Sequence, residues 1–430
     1  MWSELPSELL HLIAIAIGLC TSYHLLFGLQ SVRESDLPPE LLQLITQKQT
    51  NHVDYLCVRA VCKSWRSALP KKPHDLLCQL PWLLLPCQNE SPNHRGFYNL
   101  ADGKTYRLEL PEAYEKRCCG SSHGWLVMVE ETPAIFLLNP LTKARIDLPS
   151  LSTFPNFPTE VLFKNSRNLN PSSTRSSKQR FIRKVRVSAD PSLVSNFMVM
   201  AIYGTEHENL AFCASGDIAW TIIRETSPPL NYKDIMFHEG NFFVIHKVGR
   251  VSNCKTDNPP SLIHVADPPP VPPKMGYKQW YMANLNGSLL LVGRLRKYHV
   301  PGYGYETFSF VAYKLEREES KWSEVESLGD KMLFLVWNCS HSVSALDFNR
   351  CKGDCIYFTD DNLMVGADFI WEGHDFGVPD FHGGSVRRLG LLLYRIKQPR
   401  SPCTFFYEES LKRNWSSFIL PPPVWVTISP

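Results

Sequence analysis

Residues 80–430 repeat one local pattern, in which a short apolar run, a turn that contains glycine and a second apolar run follow one another. The clearest example is FYNL at residues 97–100, then Asp102-Gly103, then TYRL at 105–108, which is the strongest short-range signal for a β-hairpin. Few segments after Leu80 carry apolar residues at the helical period of 3.6. The pattern therefore predicts a mainly β fold. Further glycine turns are predicted at Gly216, Gly240, Gly287 and Gly383.

A chain of many short strands must protect the open edges of its sheets. Closed barrels and radially repeated sheets such as β-propellers both do so, and many short strands with glycine turns and paired aromatic residues suggest one of these two arrangements. At roughly 40 to 50 residues per blade, this length predicts about seven blades. Two stacked sandwiches are the alternative.

The composition is that of a folded protein in a reducing compartment. Hydrophobic residues make up 44% of the chain and charged residues 20%, a balance that does not fit a disordered protein. The net charge of +3 is too small to predict nucleic-acid binding. Thirteen cysteines include no Cys-x-x-Cys pair, so neither a disulfide framework nor a zinc module is predicted. We expect the nucleus or the cytoplasm, with no cofactor and no metal.

Residues 35–72 differ from the rest because their apolar residues recur at helical spacing. Asp36 is a candidate helix cap, and Pro38 and Pro39 suit a first helical turn. Three apolar groups follow: Leu41, Leu42, Leu44 and Ile45; Val53, Leu56, Val58 and Val61; Trp65, Ala68 and Leu69. A unit of three short helices buries too little surface to enclose them all. We therefore predict a three-helix module that docks on another surface.

This segment resembles an F-box, with LP at residues 37–38, ELL at 40–42 and VCKSWRS at 61–67. The resemblance implies binding to a Skp-type adaptor and, through it, to a cullin in a ubiquitin ligase. Gln49 and the polar stretch 46–52 depart from the pattern. The residues implied in adaptor binding are Leu37, Pro38, Leu41, Leu42, Ile45, Val58, Val61, Cys62, Trp65 and Arg66. The alternative is that this segment is the helical edge of a larger domain.

The order of several motifs in residues 80–430 resembles plant F-box proteins with a kelch-like C-terminal domain of the KIB type. LNPLT at 138–142 is followed by IDLP at 146–149, and GDIAWT at 216–221 by DIMF at 234–237. WSEV at 322–325 and IYFTDD at 356–361 complete the series. The resemblance implies a β-propeller that binds a target protein.

Residues 1–34 form an atypical extension. SELPSELLHLI at 3–13 repeats SDLPPELLQLI at 35–45, with eight of eleven residues identical. Residues 9–32 carry no charge and are long enough to span a membrane. Two histidines within this stretch and the lack of a preceding basic residue argue against an anchor. A duplicated helix, a gene-model artefact and a membrane anchor all remain open.

A basic stretch at residues 161–189 holds eight lysines and arginines and no acidic residue. We interpret its first half as a loop and residues 180–187 as a strand. A nuclear import signal or a contact for an acidic partner is one hypothesis, and a solvated insertion between blades is the other.

No motif in the sequence predicts catalysis. Asp354, Asp360, Asp361 and Asp375 lie beside glycines or strand ends, where carboxylates commonly cap turns. Cys351 and Cys355 lack a second ligand pair and are expected to be packed thiols. Together with the resemblance to F-box proteins of the KIB type, this implies a non-enzymatic substrate receptor of a Skp, cullin and F-box ligase. The alternative is a propeller scaffold that acts without the ligase, with or without a membrane tether.

Overall fold

The computed structural model describes residues 39–47, 55, 58–70, 80–85, 93–101, 103–114, 116–130, 132–154, 157, 181–204, 207–224, 231–270, 277–298, 305–316, 318–348, 351–359, 377–379, 386–388 and 424–426. The chain divides into two compact units. The first comprises residues 1–79 with 428–430, and the second comprises residues 80–427.

The first unit is helical in its described part. Helix α1 spans Pro39–Gln47 and helix α2 spans Lys63–Ala68. Tyr55 and residues 58–60 also have helical backbone. The described residues thus contain two continuous helices with helical backbone at Tyr55 and residues 58–60, and the predicted third helix is not confirmed. Leu37 and Pro38 lie outside the described residues.

The second unit is built from β-sheets, and its described residues form six of them, which we number as blades 1 to 6. Blade 1 contains β1 (Trp82–Leu84), β2 (His94–Asn99), β3 (Lys104–Glu109) and β25 (Val424–Val426). Blade 2 contains β4 (Arg117–Ser122), β5 (Trp125–Val129), β6 (Ile135–Leu138) and β7 (Arg145–Asp147). Blade 3 contains β8 (Ile182–Val187), β9 (Met198–Tyr203), β10 (Asn209–Ala214) and β11 (Thr221–Ile223).

The remaining three blades follow in chain order. Blade 4 contains β12 (Tyr232–His238), β13 (Asn241–His246), β14 (Val251–Lys255) and β15 (Ser261–Ala266). Blade 5 contains β16 (Tyr277–Leu285), β17 (Ser288–Tyr298), β18 (Tyr305–Glu316) and β19 (Lys321–Glu324). Blade 6 contains β20 (Lys331–Val336), β21 (Cys339–Ser344), β22 (Cys355–Phe358), β23 (Gly377–Pro379) and β24 (Val386–Arg388).

The mainly β fold and its propeller architecture agree with the prediction, but the predicted number of about seven blades is wrong. The six blades are separated by unequal connections, since residues 148–181 lie between β7 and β8, and 389–423 between β24 and β25. The prediction divided the length of the domain by a uniform repeat length, which treats these long connections as parts of blades. It therefore overestimates the number of blades.

The last strand of the propeller completes its first blade. β25 pairs with β1 in antiparallel register, with Trp82 opposite Val426 and Leu84 opposite Val424. The first blade therefore takes three strands from the beginning of the unit and one from its end. This pairing joins the two ends of the ring and covers an edge that β1 would otherwise expose.

The predicted hairpin turns form where glycine allows a left-handed backbone. Glu239-Gly240 and Asn286-Gly287 connect consecutive strands, and both residues of each pair have positive φ angles. This is the geometry of the type I′ turn, which matches the twist of the flanking strands. The predicted turns at Gly103 and Gly216 also join paired strands. The turn predicted at Gly383 lies outside the described residues.

Most middle strands are buried on both faces, which explains their continuous apolar runs. On β17, Leu289 and Leu291 pack in the cluster between blades 4 and 5, whereas Leu290 and Val292 pack in the cluster between blades 5 and 6. Successive side chains on a strand point to opposite faces, so each strand contributes to two interfaces. The hydrophobic core therefore consists of layers between neighbouring blades.

Blade 6 departs from the regular order of its neighbours. Its strands lie in the order β21-β20-β22-β23-β24, and β20 pairs in parallel with β22, with Met332 opposite Cys355. In blades 2 to 5, strands that are consecutive in the chain are neighbours in the sheet.

Gly120 lies where blades 2 and 3 approach each other closely. A Cβ atom on Gly120 in β4 would collide with the backbone carbonyl oxygen of Val185 in β8. We expect Gly120→Ala to lower the free energy of unfolding by about 2–3 kcal/mol, because a strand backbone has little freedom to move away. Urea unfolding of the purified protein measures this loss.

Gly96→Ala is the matched control for that substitution. At Gly96 the new Cβ would meet Cδ1 of Leu85 at 3.2 Å, a longer contact that involves the end of a side chain rather than backbone. We expect a smaller loss than for Gly120→Ala. Equal losses would contradict a close approach of β4 and β8.

Candidate functional site

The helical unit has a small core of its own. Leu42 from α1, Tyr55, Val58, Trp65 from α2 and Leu69 pack together, and each is at most 5% exposed. The hydroxyl of Tyr55 donates a hydrogen bond to the carbonyl oxygen of Pro70 at 2.6 Å. Burial raises the pKa of Tyr55, so the phenol stays protonated and keeps this bond. This hydrogen bond thus connects Pro70, which follows α2, to the core of the unit.

Cys62 fixes the start of α2. Its backbone is extended, and its sulfur accepts a hydrogen bond from the amide of Trp65 at 3.4 Å. A side chain at this position satisfies an amide that has no partner within the helix. The cap therefore orients α2 so that Trp65 points into the core, while Lys63 and Arg66 are exposed.

The predicted adaptor-binding residues separate into distinct groups. Leu42, Val58 and Trp65 lie inside the helical unit, a role that the sequence pattern did not anticipate. Val61 and Cys62 are half-buried against this core, and Arg66 is exposed. Leu41 and Ile45 belong to α1, but their side chains are outside the described part, as are Leu37 and Pro38.

A second cluster lies where one edge strand from each of blades 2, 3, 4 and 6 meets at the ring axis. Arg186 on β8 donates hydrogen bonds to the carbonyl oxygens of Ser121 on β4, Ile235 on β12 and Ser340 on β21, at 3.0, 3.3 and 3.0 Å. Arg186 is only 8% exposed. One guanidinium group therefore links the inner strands of four blades.

An ion pair extends this network toward blade 5. Lys184 on β8 contacts the carboxylate of Asp234 on β12, and both side chains are buried. Asp234 also accepts hydrogen bonds from the amides of Ile235 and Met282, at 2.7 and 2.8 Å. Met282 lies on β16, so this carboxylate connects the inner strands of blades 3, 4 and 5. Burial lowers the pKa of Lys184, and the neighbouring Asp234 opposes that shift.

Three thiols near the axis are chemically inert. Burial raises the pKa values of Cys118, Cys119 and Cys339 to about 12 each. The reactive form of cysteine is the thiolate, and these groups remain thiols at physiological pH. They act as small apolar side chains in the core.

Sequence reasoning missed the axial cluster. The predicted strand at residues 180–187 is present as β8, but Lys184 and Arg186 are buried and are not available to an import receptor or an acidic partner. The remaining basic residues of the stretch up to residue 180 lie outside the described residues. One feature of the sequence could have indicated a buried strand here. In FIRKVRV, the basic residues are interleaved with apolar ones, and the apolar residues Ile182, Val185 and Val187 are buried.

The other candidate residues have structural contacts where they are described. Asp354 accepts a hydrogen bond from the amide of Leu328 at 2.7 Å, which fits the turn-capping interpretation. The thiol of Cys355 donates to the carbonyl oxygen of Lys352 at 3.0 Å. Asp360, Asp361 and Asp375 lie outside the described residues. Within the described ranges, no group of three or more potential ligands is arranged to hold a metal ion.

The membrane hypothesis concerns residues 9–32, which are outside the described part of the chain. None of the helices that the structure describes combines the length and hydrophobicity of a transmembrane segment.

The model of the KIB1-4 beta-propeller family matches residues 97–380. The chain belongs to this family. The predicted identity, a plant F-box protein with a KIB-type propeller, is confirmed by this match and by curated relatives from Arabidopsis thaliana. "F-box protein SKIP23" is 28% identical, over 91% of this chain and 95% of the relative. "Putative F-box protein At5g55150" is 28% identical, over 80% of this chain and 92% of the relative.

The similarity to the first of these relatives extends beyond the propeller. Because 91% of 430 residues is about 391, that alignment leaves about 39 residues uncovered and begins no later than about residue 40. It therefore includes most of α1 and all of the helical unit that follows.

The Lys184–Asp234 pair yields a test of the axial network. We expect Lys184→Met to destabilise the protein by about 3–5 kcal/mol, because Asp234 would remain buried without its counter-charge. Adding Asp234→Asn should recover part of this loss, since the side chain then carries no charge. Urea unfolding monitored by tryptophan fluorescence measures both variants.

Lys143→Met is the control for this prediction. Lys143 pairs with Glu109 at 2.7 Å, but both side chains are about half exposed, so we expect a change below about 1 kcal/mol. A loss in Lys184→Met no larger than in this control would show that the buried pair does not stabilise the ring.

Proposed function

We propose that this protein is the substrate-recognition subunit of a ubiquitin ligase of the Skp, cullin and F-box type. The helical unit binds a Skp-type adaptor, and the propeller binds a target protein. The observation that carries the proposal is the alignment with F-box protein SKIP23, which includes the helical unit as well as the propeller. Ubiquitin transfer belongs to the assembled ligase, and this chain supplies proximity.

The burial of Trp65 and Leu42 changes the proposed adaptor surface. Since these side chains are 5% and 1% exposed, they act by holding the unit in its fold rather than by contacting the adaptor. We assign the direct contact to Leu37, Pro38, Leu41, Ile45, Val61, Cys62 and Arg66. Leu41 and Ile45 are four residues apart on α1, so their positions fall on one side of the helix.

The propeller supports the receptor role through its rigidity. Its blades are joined by apolar layers, and its axis is held by Arg186, Lys184 and Asp234. Turns between strands project from such a scaffold and are where binding residues are usually found. Ile218 in the β10–β11 turn is 90% exposed, and Leu193 in the β8–β9 connection is 69% exposed. These turns are candidate positions for target contact.

The adaptor contact is tested by co-purification of the full chain with a Skp-type adaptor. We expect the double variant Leu41→Ala, Ile45→Ala to bind at least tenfold more weakly, because apolar residues at the centre of an interface carry most of its binding energy. Gln43→Ala is the matched control, since Gln43 lies on the same helix and is exposed. It should bind as the wild type does.

Two further measurements make the outcome decisive. Trp65→Ala is expected to lose adaptor binding because it unfolds the helical unit. Hydrogen exchange across residues 58–70 distinguishes this unfolding from the loss of a direct contact with the adaptor. Adaptor binding that is absent in the wild type, or indifferent to the Leu41 and Ile45 changes, would contradict the proposal. It would favour a propeller that binds its partner independently of a ligase.

A further inference from the structure

Buried charge at the ring axis is unbalanced among the described residues. The inner strands β4, β8 and β12 contribute three buried basic side chains, Arg117, Lys184 and Arg186, and one buried carboxylate, Asp234. Lys184 pairs with Asp234, and Arg186 uses its three nitrogens on three carbonyl oxygens. Arg117 and Arg186 are therefore both without a carboxylate partner, but only Arg186 has all three of its nitrogens hydrogen-bonded.

Arg117 has few partners for a side chain that is only 5% exposed. Its Nη2 donates to the carbonyl oxygen of Ile182, and its guanidinium lies 5.2 Å from the ring centroid of Trp337. Its Nε and Nη1 are buried and have no hydrogen-bond partner among the described residues. A buried, charged donor without an acceptor is costly, and native proteins rarely leave one.

The surroundings of Arg117 include further buried donors. Burial lowers the pKa of Arg117, and repulsion from Arg183 on β8 adds a smaller shift in the same direction. The Nε atom of Arg183 and the indole Nε1 of Trp337 are also buried without a partner in the described part of the chain. The neighbouring Cys118 and Cys119 remain protonated and supply no negative charge.

We propose that Arg117, Arg183 and Trp337 form a site for a small inorganic oxyanion of the phosphate class at the axis of the propeller. An oxyanion accepts several hydrogen bonds from guanidinium and indole N–H groups and neutralises the excess charge. The enclosure of Arg117 favours a small ion, because a peptide carboxylate would have to bring its chain into the core. The site is separate from the helical unit and does not depend on the proposed ligase role.

The test is a titration of the purified full chain with sodium phosphate, with sodium chloride added to keep the ionic strength constant. We expect the thermal unfolding midpoint to rise with phosphate and to saturate, because an ion that binds only the folded state stabilises it. Isothermal titration calorimetry should give one site per chain. Sulfate, with the same shape, should compete.

Variants locate the site. Arg183→Gln removes a donor from a half-buried position, and we expect it to weaken phosphate binding about tenfold, the loss of one charge-assisted hydrogen bond. Arg117→Gln should abolish binding if the variant folds. Arg145→Gln is the control, because Arg145 lies on β7 at the surface and pairs with Glu130 and Asp147. It should bind phosphate like the wild type.

Either of two results would overturn the proposal. One is the absence of a saturable heat and of a midpoint shift in the wild type. The other is phosphate binding by Arg183→Gln that equals binding by the wild type and by Arg145→Gln.

Discussion

The guanidinium of Arg186 lies where strands from four blades meet, and the ring is organised around this point. The inner strand of each blade has no neighbouring strand on its axial side, so its carbonyl and amide groups lack a ladder partner there. Arg186 supplies donors to three such carbonyls, and Asp234 accepts from two such amides. Charged side chains thus do at the axis what a further strand does elsewhere in a sheet.

This arrangement explains why the ring tolerates buried charge. A buried ion pair seldom stabilises a protein more than a well-packed apolar pair, but removal of one partner is costly. Lys184 and Asp234 are both buried and pair with each other, and Asp234 also accepts hydrogen bonds from two backbone amides. The network therefore adds directional contacts between blades 3, 4 and 5 to the apolar layers that pack them together.

Local features of the sequence predicted the β architecture, whereas features that depend on distant residues were missed. Hairpins such as those at Asn286-Gly287 were predictable because turn type follows from the turn residues themselves. The blade number was not, since long connections such as residues 148–181 look the same in sequence as parts of blades. Nor could Lys184 be assigned to the axis, because its partner Asp234 lies on another blade. In the helical unit, Leu42 and Leu41 are equally apolar, and only the fold shows that Leu42 faces inward.

The pairing of β25 with β1 has a consequence for how the protein is made. Because Val424–Val426 supply the strand that completes blade 1, the ribosome must have translated residue 426 before the circle can shut. Until then the nascent chain holds an unfinished blade with an uncovered strand, a surface that attracts other strands. A message that ends early would therefore produce an open and aggregation-prone chain, even though most of its blades are encoded in full.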